Sequence, residues 1–389
     1  CSETMRGLCW HRQRHQHMSE NMLTLKSVTR IAATGMHCAF TSLCQYQGFT
    51  YVAYRQAQSH NPTPPGHIVI QRSTDLETWE VAAILRTGGD DRDPHLVATD
   101  DRLYCVWGAY TPYYDPWTGR LSALCTDLWT YGAWSVDGTA WGPPYRLCRP
   151  GSWLWTCIED HIPPPEPGLL TRAMGRTAEP VLDPLWYGVS YDVGDGVIDR
   201  CHTLTLWHAS KSPMLWKRWA MMIDAAKASS DWQPSEPALL WRDADTLGCI
   251  VRTEHETLYG EASRPFVAWT WEPLGGLGKA GVHAPAVLAV PGVGWLLAGR
   301  EYLAGKRRGD KPLVCGTSLW TLDPAQPCVM RILRLPSNGD CSYPGLVWDA
   351  ERGEVLVSLY SQHERDTTIV GMPHAADVYL ARLTVETES

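Results

Sequence analysis

The strongest constraint on this chain is internal repetition. An apolar run, a short turn and a second apolar run recur as "AFTSLCQYQGFTYVAYR", "PHLVATDDRLYCVWG", "AEPVLDPLWYGVSY", "EPALLWRDADTLGCIVR", "APAVLAVPGVGWLLAGR" and "YPGLVWDAERGEVLVSLY". The second runs end near Arg55, Gly108, Tyr191, Arg252, Arg300 and Tyr360. Spacings of roughly 50 to 80 residues suit four-stranded blades with outer strands of variable length. Two segments, Ser73–Trp79 and Ser135–Trp141, share the pattern Ser-x-Asp-x-x-x-Trp at the same phase of the repeat. There the Asp can bind turn amides while the Trp wedges between sheets. The best helical stretch, "MLWKRWAMMIDAAKASSDW", is short and interrupted. The expected fold is therefore all-β: one six-bladed β-propeller of four-stranded antiparallel blades, spanning 26–389. Residues 1–25, rich in His and Arg, form a tail ahead of the first unit or supply a closing strand.

Composition narrows the function classes. A net charge of −8 provides no basic stripe for nucleic acid. No apolar run approaches the ~20 residues of a membrane span. None of the 13 cysteines falls in a C-x-x-C pair, and several lie in apolar runs, so mostly free, buried thiols are expected. No cofactor or metal is expected. The loop "WTCIEDH", with Glu159, Asp160 and His161, reads as solvated.

The repeat also sorts residues by face. In an antiparallel pair, the start of the first strand and the end of the second lie on one side. Polar residues at those places are Arg55, Asp93, Glu236, Arg252, Arg300 and Tyr343. A phenol has a pKa of about 10 and needs a neighbouring base to become a nucleophile. Glu236 opens a first strand, as Tyr343 does, and is the candidate base. Clustered arginines suit an anionic, carboxylate-bearing substrate. The general acid that completes such a site is Asp93 in "DDRDPHL" or His60 in "RQAQSHNPTPPG".

These residues resemble the sialidase superfamily of six-bladed propellers over roughly residues 30 to 385. The two Ser-x-Asp-x-x-x-Trp segments look like its Asp boxes (BNR repeats). "SEPALLWRDADTLGCIVR" is similar to the segment holding a Glu and a substrate-carboxylate Arg, which implies Glu236 as base and Arg252 as anion ligand. "DCSYPGLVWDAERGEVLVSLYSQHE" resembles the segment carrying the nucleophilic tyrosine, which implies Tyr343. Bacterial sialidase-like proteins of poorly defined substrate share further stretches: Arg92-Asp93-Pro94, Trp153-Leu154-Trp155, Ala298–Tyr302 and Ser342–Glu364. Two departures stand out. The family's Arg-Ile-Pro motif is replaced by "CAFTSL", with Cys38 where the arginine belongs, and Arg30 lies too early. The loop after the first blade's second strand offers His60 in place of the usual aspartate.

The leading expectation is an exo-acting, neuraminidase-like glycosidase for an acidic sugar of an oligosaccharide or glycoconjugate. Arg55, Arg92, Arg252 and Arg300 would hold the anion, and Trp153 and Trp155 would stack on the ring or pack. His363 and Glu364 would line the same rim, and the long insert Thr111–Pro150 would wall the cleft. A polysaccharide lyase using His60 and Tyr343 on a uronate, and a non-catalytic glycan-binding propeller, are the alternatives. The substrate class favours a secreted or cell-surface setting, although no signal peptide is visible.

Overall fold

The computed structural model describes residues 23–114, 121–160, 185–193, 201–224, 232–278, 280–304, 314–365 and 375–385. Their 24 strands, β1 to β24 in chain order, form six four-stranded antiparallel sheets, the blades of a propeller. The innermost strands are β2 (His37–Tyr46), β6 (Asp90–Ala98), β10 (Ser152–Glu159), β14 (Ser235–Trp241), β18 (Val282–Val290) and β22 (Ser342–Asp349). Their hairpin partners are β3 (Phe49–Ala57), β7 (Leu103–Tyr114), β11 (Leu185–Val193), β15 (Thr246–Arg252), β19 (Gly294–Ala304) and β23 (Glu354–Ser361). The third and fourth strands of the first four blades are β4 (His67–Ser73) with β5 (Glu80–Leu85), β8 (Leu121–Ser135) with β9 (Tyr145–Arg146), β12 (Cys201–Ser210) with β13 (Trp216–Asp224), and β16 (Thr257–Ser263) with β17 (Thr270–Pro273). Blade five ends with β20 (Val314–Asp323) and β21 (Cys328–Leu335). Blade six takes β24 (Asp377–Val385) and then β1 (Leu23–Ala32) as its outermost strand.

That last pairing closes the ring. β1 runs antiparallel to β24 from Leu23↔Val385 to Ala32↔Val378, so one blade is built from both ends of the chain. The closing strand begins at Leu23, a few residues ahead of the boundary read from the repeat. A blade is covered on both faces by its neighbours, so its inner strands are buried continuously rather than on alternate residues. β23, buried along its whole length, is such a strand. Between the first two blades Tyr51, Ile68, Cys105 and Trp107 pack together. Between the last two, Ala298, Leu319, Val357 and Tyr379 do the same. Nine of the cysteines in these ranges are free thiols, seven of them buried.

Three readings of the sequence need correction. The inner strand of blade three is β10, paired with β11 from Ser152↔Asp192 to Glu159↔Trp186. The segment 178–183, read as that strand, lies outside the described residues. A chain of some two dozen residues separates β10 from β11, and the short-turn spacing that identified the other five units fails here. Thr111–Pro150 is no insert: it holds the end of β7 and the outer strands β8 and β9 of blade two. Within the helix-spaced stretch, Trp216–Asp224 is the edge strand β13.

The two Ser-x-Asp-x-x-x-Trp segments turn the third strand into the fourth. Asp75 Oδ1 accepts the amides of Glu77 (2.8 Å) and Thr78 (2.7 Å), and Trp79 Nε1 donates to the carbonyl of Leu76. Asp137 repeats this with Thr139 and Ala140, and Trp141 with Gly138. Leu76 (φ 68°) and Gly138 (φ 74°) occupy the same left-handed position. Blades three and four keep the Ser and Trp but lack the Asp. In both, the Trp still donates to the carbonyl three residues back, Trp216 to Pro213 and Trp269 to Phe266.

One local feature positions the site. Every inner strand carries a bulge at the same height, between Ala39 and Ser42, Arg92 and His95, Leu154 and Thr156, Ser235 and Ala238, His283 and Ala286, and Ser342 and Gly345. The bulged residues form a ring of six: Phe40, Asp93, Trp155, Glu236, Ala284 and Tyr343. Five of them hold positive φ, between 47° and 61°. Non-glycine residues avoid that region unless the surroundings enforce it, and bulges re-aim side chains. Proline follows four of the six, at 94, 237, 285 and 344. A bulge frees a position from the ladder, so a residue without an N–H fits there. Gly345 follows in blade six because an added Cβ would lie 2.4 Å from the backbone nitrogen of Leu43 in blade one.

Candidate active site

The ring residues face residues contributed by the second strands. Register pairs Ser235 with Arg252, His283 with Arg300, Ser342 with Tyr360 and Ala39 with Arg55, each just before the bulge. Glu236 and Tyr343 meet in this setting. Tyr343 Oη donates to Glu236 Oε1 at 2.6 Å, and Arg252 Nη1 donates to the same oxygen at 2.7 Å. The other oxygen, Oε2, accepts the amide of Ala284 at 2.7 Å. Burial alone would raise the Glu236 pKa, but Arg252, His283 and the Tyr343 bond pull it down to about 2. Burial and then the adjacent Glu236 carboxylate push the phenol well above its ordinary value, against Arg300 and Arg252. The resting pair is thus a carboxylate holding a neutral phenol, ready to take its proton.

Arg300 stands on the other side of the tyrosine, its guanidinium 5.1 Å from the ring centre. It donates to the Cys341 carbonyl (2.8 Å), Tyr360 Oη (2.8 Å) and Asp340 Oδ1 (3.1 Å). Asp340 is a hub. Its Oδ1 also accepts Tyr360 Oη at 2.7 Å, and its Oδ2 lies 2.8 Å from His37 Nε2 and 2.6 Å from His60 Nδ1. Burial would raise this carboxyl, yet His60, the bond to His37 and Arg300 hold it well below its ordinary value. Among the described residues, His37, His60 and Asp340 are the group whose ligand atoms could surround a metal ion, all within 4.8 Å of one another.

Asp93 is 5% exposed, and its Oδ1 has no hydrogen-bond partner among the described residues. Burial raises its pKa to about 7 despite Arg92 and Arg55, with Glu236 adding to the rise. It lines an axial cavity of about 250 Å³ together with Phe40, Trp155, Ala284, Tyr343 and the residues that follow each of them. A carboxyl raised in the folded state stabilises the fold fully below its ordinary value near 4, and that contribution is lost as pH rises through about 7. Asp93→Asn is therefore expected to become more stable than the parent as pH increases from 5 to 8. Melting temperatures of both proteins across that range check this, and a difference that does not change with pH would contradict it.

Other expected site residues fall elsewhere. Arg55 is 0% exposed, and its guanidinium is committed to Asp90 Oδ1 (3.0 and 2.6 Å) and to the carbonyls of Ser59 and Asn61, both at 2.8 Å. It braces the loop that carries His60 and is closed to a substrate. Arg92 bonds Asp90 Oδ2 and the His60 carbonyl, with its guanidinium 5.5 Å from the Phe40 and Tyr110 ring centres. Trp153 and Trp155 are buried on β10; Trp155 packs edge-on to Tyr343 at 6.1 Å, and Trp153 packs against Trp155 and Tyr110. His363 bonds Ser361 and packs on Tyr379, while Glu364 pairs with Arg30, so both serve the junction with β1. Cys38 is buried beside Thr34. His37, Asp340, Tyr360 and Phe40 were not anticipated. Asp340 ends the turn-forming stretch "SNGD", and nothing local in the sequence distinguishes it from a turn former.

No protein-family model matches this chain, and no curated protein is similar to it in sequence. Solved structures do match its fold. A protein of unknown function from Dyadobacter fermentans superposes with a TM-score of 0.68 at 17% identity, over 94% of this chain and 99% of its own. A Trypanosoma rangeli sialidase in complex with sialic acid gives 0.58 at 11% identity, over 93% of this chain and 58% of the longer trypanosomal one. An α-L-arabinanase from Penicillium chrysogenum complexed with arabinobiose gives 0.58 at 10% identity, over 92% and 98%. At these identities the likeness is one of architecture, shared by propellers that carry different chemistries.

Proposed function

We propose that this chain is an exo-acting glycoside hydrolase for a carboxylate-bearing sugar, working through a tyrosyl-glycoside intermediate. The observation that carries the reading is the 2.6 Å bond from Tyr343 Oη to Glu236 Oε1, with Arg252 on the same oxygen. In the first step Tyr343 Oη attacks the anomeric carbon and its proton passes to Glu236. The glycosidic C–O bond breaks, and a general acid, Asp93 or His60, protonates the departing oxygen. In the second step water attacks the anomeric carbon and gives its proton to that acid's conjugate base. The tyrosyl C–O bond breaks and Glu236 returns the proton to Tyr343. Arg252 and Arg300, which flank the phenol, would hold the sugar carboxylate. Among the structures of like fold, the Trypanosoma rangeli sialidase has been captured with 2,3-difluorosialic acid as a covalent intermediate, which favours this reading over other propeller chemistries.

A second reading is a lyase acting on a uronate. It is favoured by the His60 imidazole, one nitrogen of which is bound to Asp340 while the other has no hydrogen-bond partner among the described residues. Incubation with a panel of acidic glycans, followed by mass analysis, separates the two. A hydrolase yields a product pair heavier than the substrate by one water. A lyase yields a pair of unchanged total mass with a new ultraviolet-absorbing double bond. Products of the second kind would overturn the hydrolase reading.

A further inference from the structure

We propose that His60 is the general acid/base of this site and that Asp340 and His37 are its positioning residues, an assignment that rests on the hydrolase reading. The three come from separate places: His37 from the start of β2, His60 from the loop between β3 and β4, and Asp340 from the turn three residues before Tyr343. Their protons can be assigned by elimination. An ionised carboxylate only accepts, so each imidazole nitrogen on Asp340 Oδ2 carries a hydrogen. His37 is 1% exposed, and burial holds it neutral, opposed by its bond to Asp340. Its single proton is therefore on Nε2, and Nδ1 is bare, which agrees with the finding that Nδ1 has no partner among the described residues. His60 gives Nδ1–H to Asp340 and keeps Nε2 for the site, with its side chain 48% exposed. This is the arrangement in which a carboxylate fixes the tautomer and aims the second nitrogen.

The carboxylate cannot easily turn away. Its Oδ1 is taken by Tyr360 and Arg300, so one group sets both the acid and an arginine beside the nucleophile. Phe40 spaces them, its ring centre 5.3 Å from His60 and 5.0 Å from Tyr343. The charged and titratable groups around His60 are Asp340 and His37 at the ring, Arg92 at its carbonyl, and Arg300 and Tyr360 through Asp340. A divalent ion bound to His37 Nε2 would force the proton onto Nδ1, leaving a buried donor without an acceptor. The hydrogen-bonded triad satisfies these atoms better. In the reaction, the Nε2–H of protonated His60 passes to the glycosidic oxygen as the C–O bond breaks. Neutral Nε2 then takes a proton from the attacking water.

Two measurements on the full chain test this. The first is long-range ¹H–¹⁵N NMR of the labelled histidines, which needs no substrate. Neutral His60 is expected as the Nδ1–H tautomer in the parent and as mainly Nε2–H in Asp340→Asn, with the fold verified by melting. An unchanged His60 tautomer in Asp340→Asn would overturn the assignment, as would zinc binding at micromolar concentration that is lost in His37→Gln. The second compares oligosaccharides with 4-nitrophenyl glycosides of sialic, glucuronic and galacturonic acid, whose leaving group needs no acid. His60→Ala is expected to lower kcat/KM about 100-fold or more on the oligosaccharide and less than about tenfold on the aryl glycoside. Equal losses on both, or none, would also overturn it. Failure of the parent to hydrolyse any of these would instead sink the hydrolase reading, while the NMR result would still decide the triad.

Discussion

Tyr343→Phe is expected to reduce turnover by roughly 10³-fold or more while leaving the fold intact. The substitution deletes one oxygen. The ring keeps its edge contacts with Phe40 at 5.0 Å and Trp155 at 6.1 Å. Glu236 keeps Arg252 and the Ala284 amide, so no buried charge is stranded. Loss of activity without loss of melting temperature would therefore report chemistry. Glu236→Gln makes the companion measurement: it removes the base and should cost about 10² to 10⁴-fold in a tyrosine-nucleophile mechanism. A lyase that uses Tyr343 directly would lose turnover in the first variant and much less in the second. A glycan-binding propeller without turnover would keep its affinity in Tyr343→Phe. Full activity in the phenylalanine variant would remove Tyr343 from the mechanism altogether.

Much of the architecture was legible because a propeller repeats. Five of the six hairpins follow from the spacing of apolar runs and turns, and the same repeat puts Tyr343, Glu236, Arg252 and Arg300 at equivalent heights. What could not be read was set by tertiary distance. The blade-three hairpin has a long connection, and the run "AEPVLD" imitated a first strand at the wrong place. The bulge ring left a trace, an X-Pro step at Asp93, Glu236, Ala284 and Tyr343, but Phe40 and Trp155 are followed by threonine and break the pattern. The Asp340 hub joins residues about 300 positions apart, His37 and Asp340 among them. Arginines posed the opposite difficulty. Arg55 and Arg300 occupy matching positions at the ends of β3 and β19, yet one is sealed by Asp90 and the other stands beside Tyr343. Only the partners decide which arginine is structural.

The seal on Arg55 leads to the largest expected effect on stability. Asp90 Oδ1 takes Arg55 Nε and Nη2 and the Gly66 amide, and Oδ2 takes Arg92 Nε. Both Arg55 and Asp90 have fully buried side chains. Burial, with Arg92 nearby, lowers the Arg55 pKa to about 10, so the guanidinium stays charged at neutral pH. Gly66 is required by the same packing, because a Cβ there would lie 2.7 Å from Arg55 Nε. Asp90→Ala leaves a buried cation without its counter-charge, and such truncations cost about 3–5 kcal/mol. Replacing both partners with apolar residues, as in Arg55→Met with Asp90→Leu, should recover part of that loss, since the Arg55 desolvation penalty goes with its charge while Arg92 and the Gly66 amide still lose Asp90. Chemical denaturation of the single and double variants measures the difference directly. A double variant no more stable than Asp90→Ala would mean that Arg92, the Gly66 amide and the carbonyls of Ser59 and Asn61, rather than the Arg55–Asp90 pair, govern this region. Because those carbonyls belong to the loop that carries His60, the double variant is also expected to lose activity even where it regains stability.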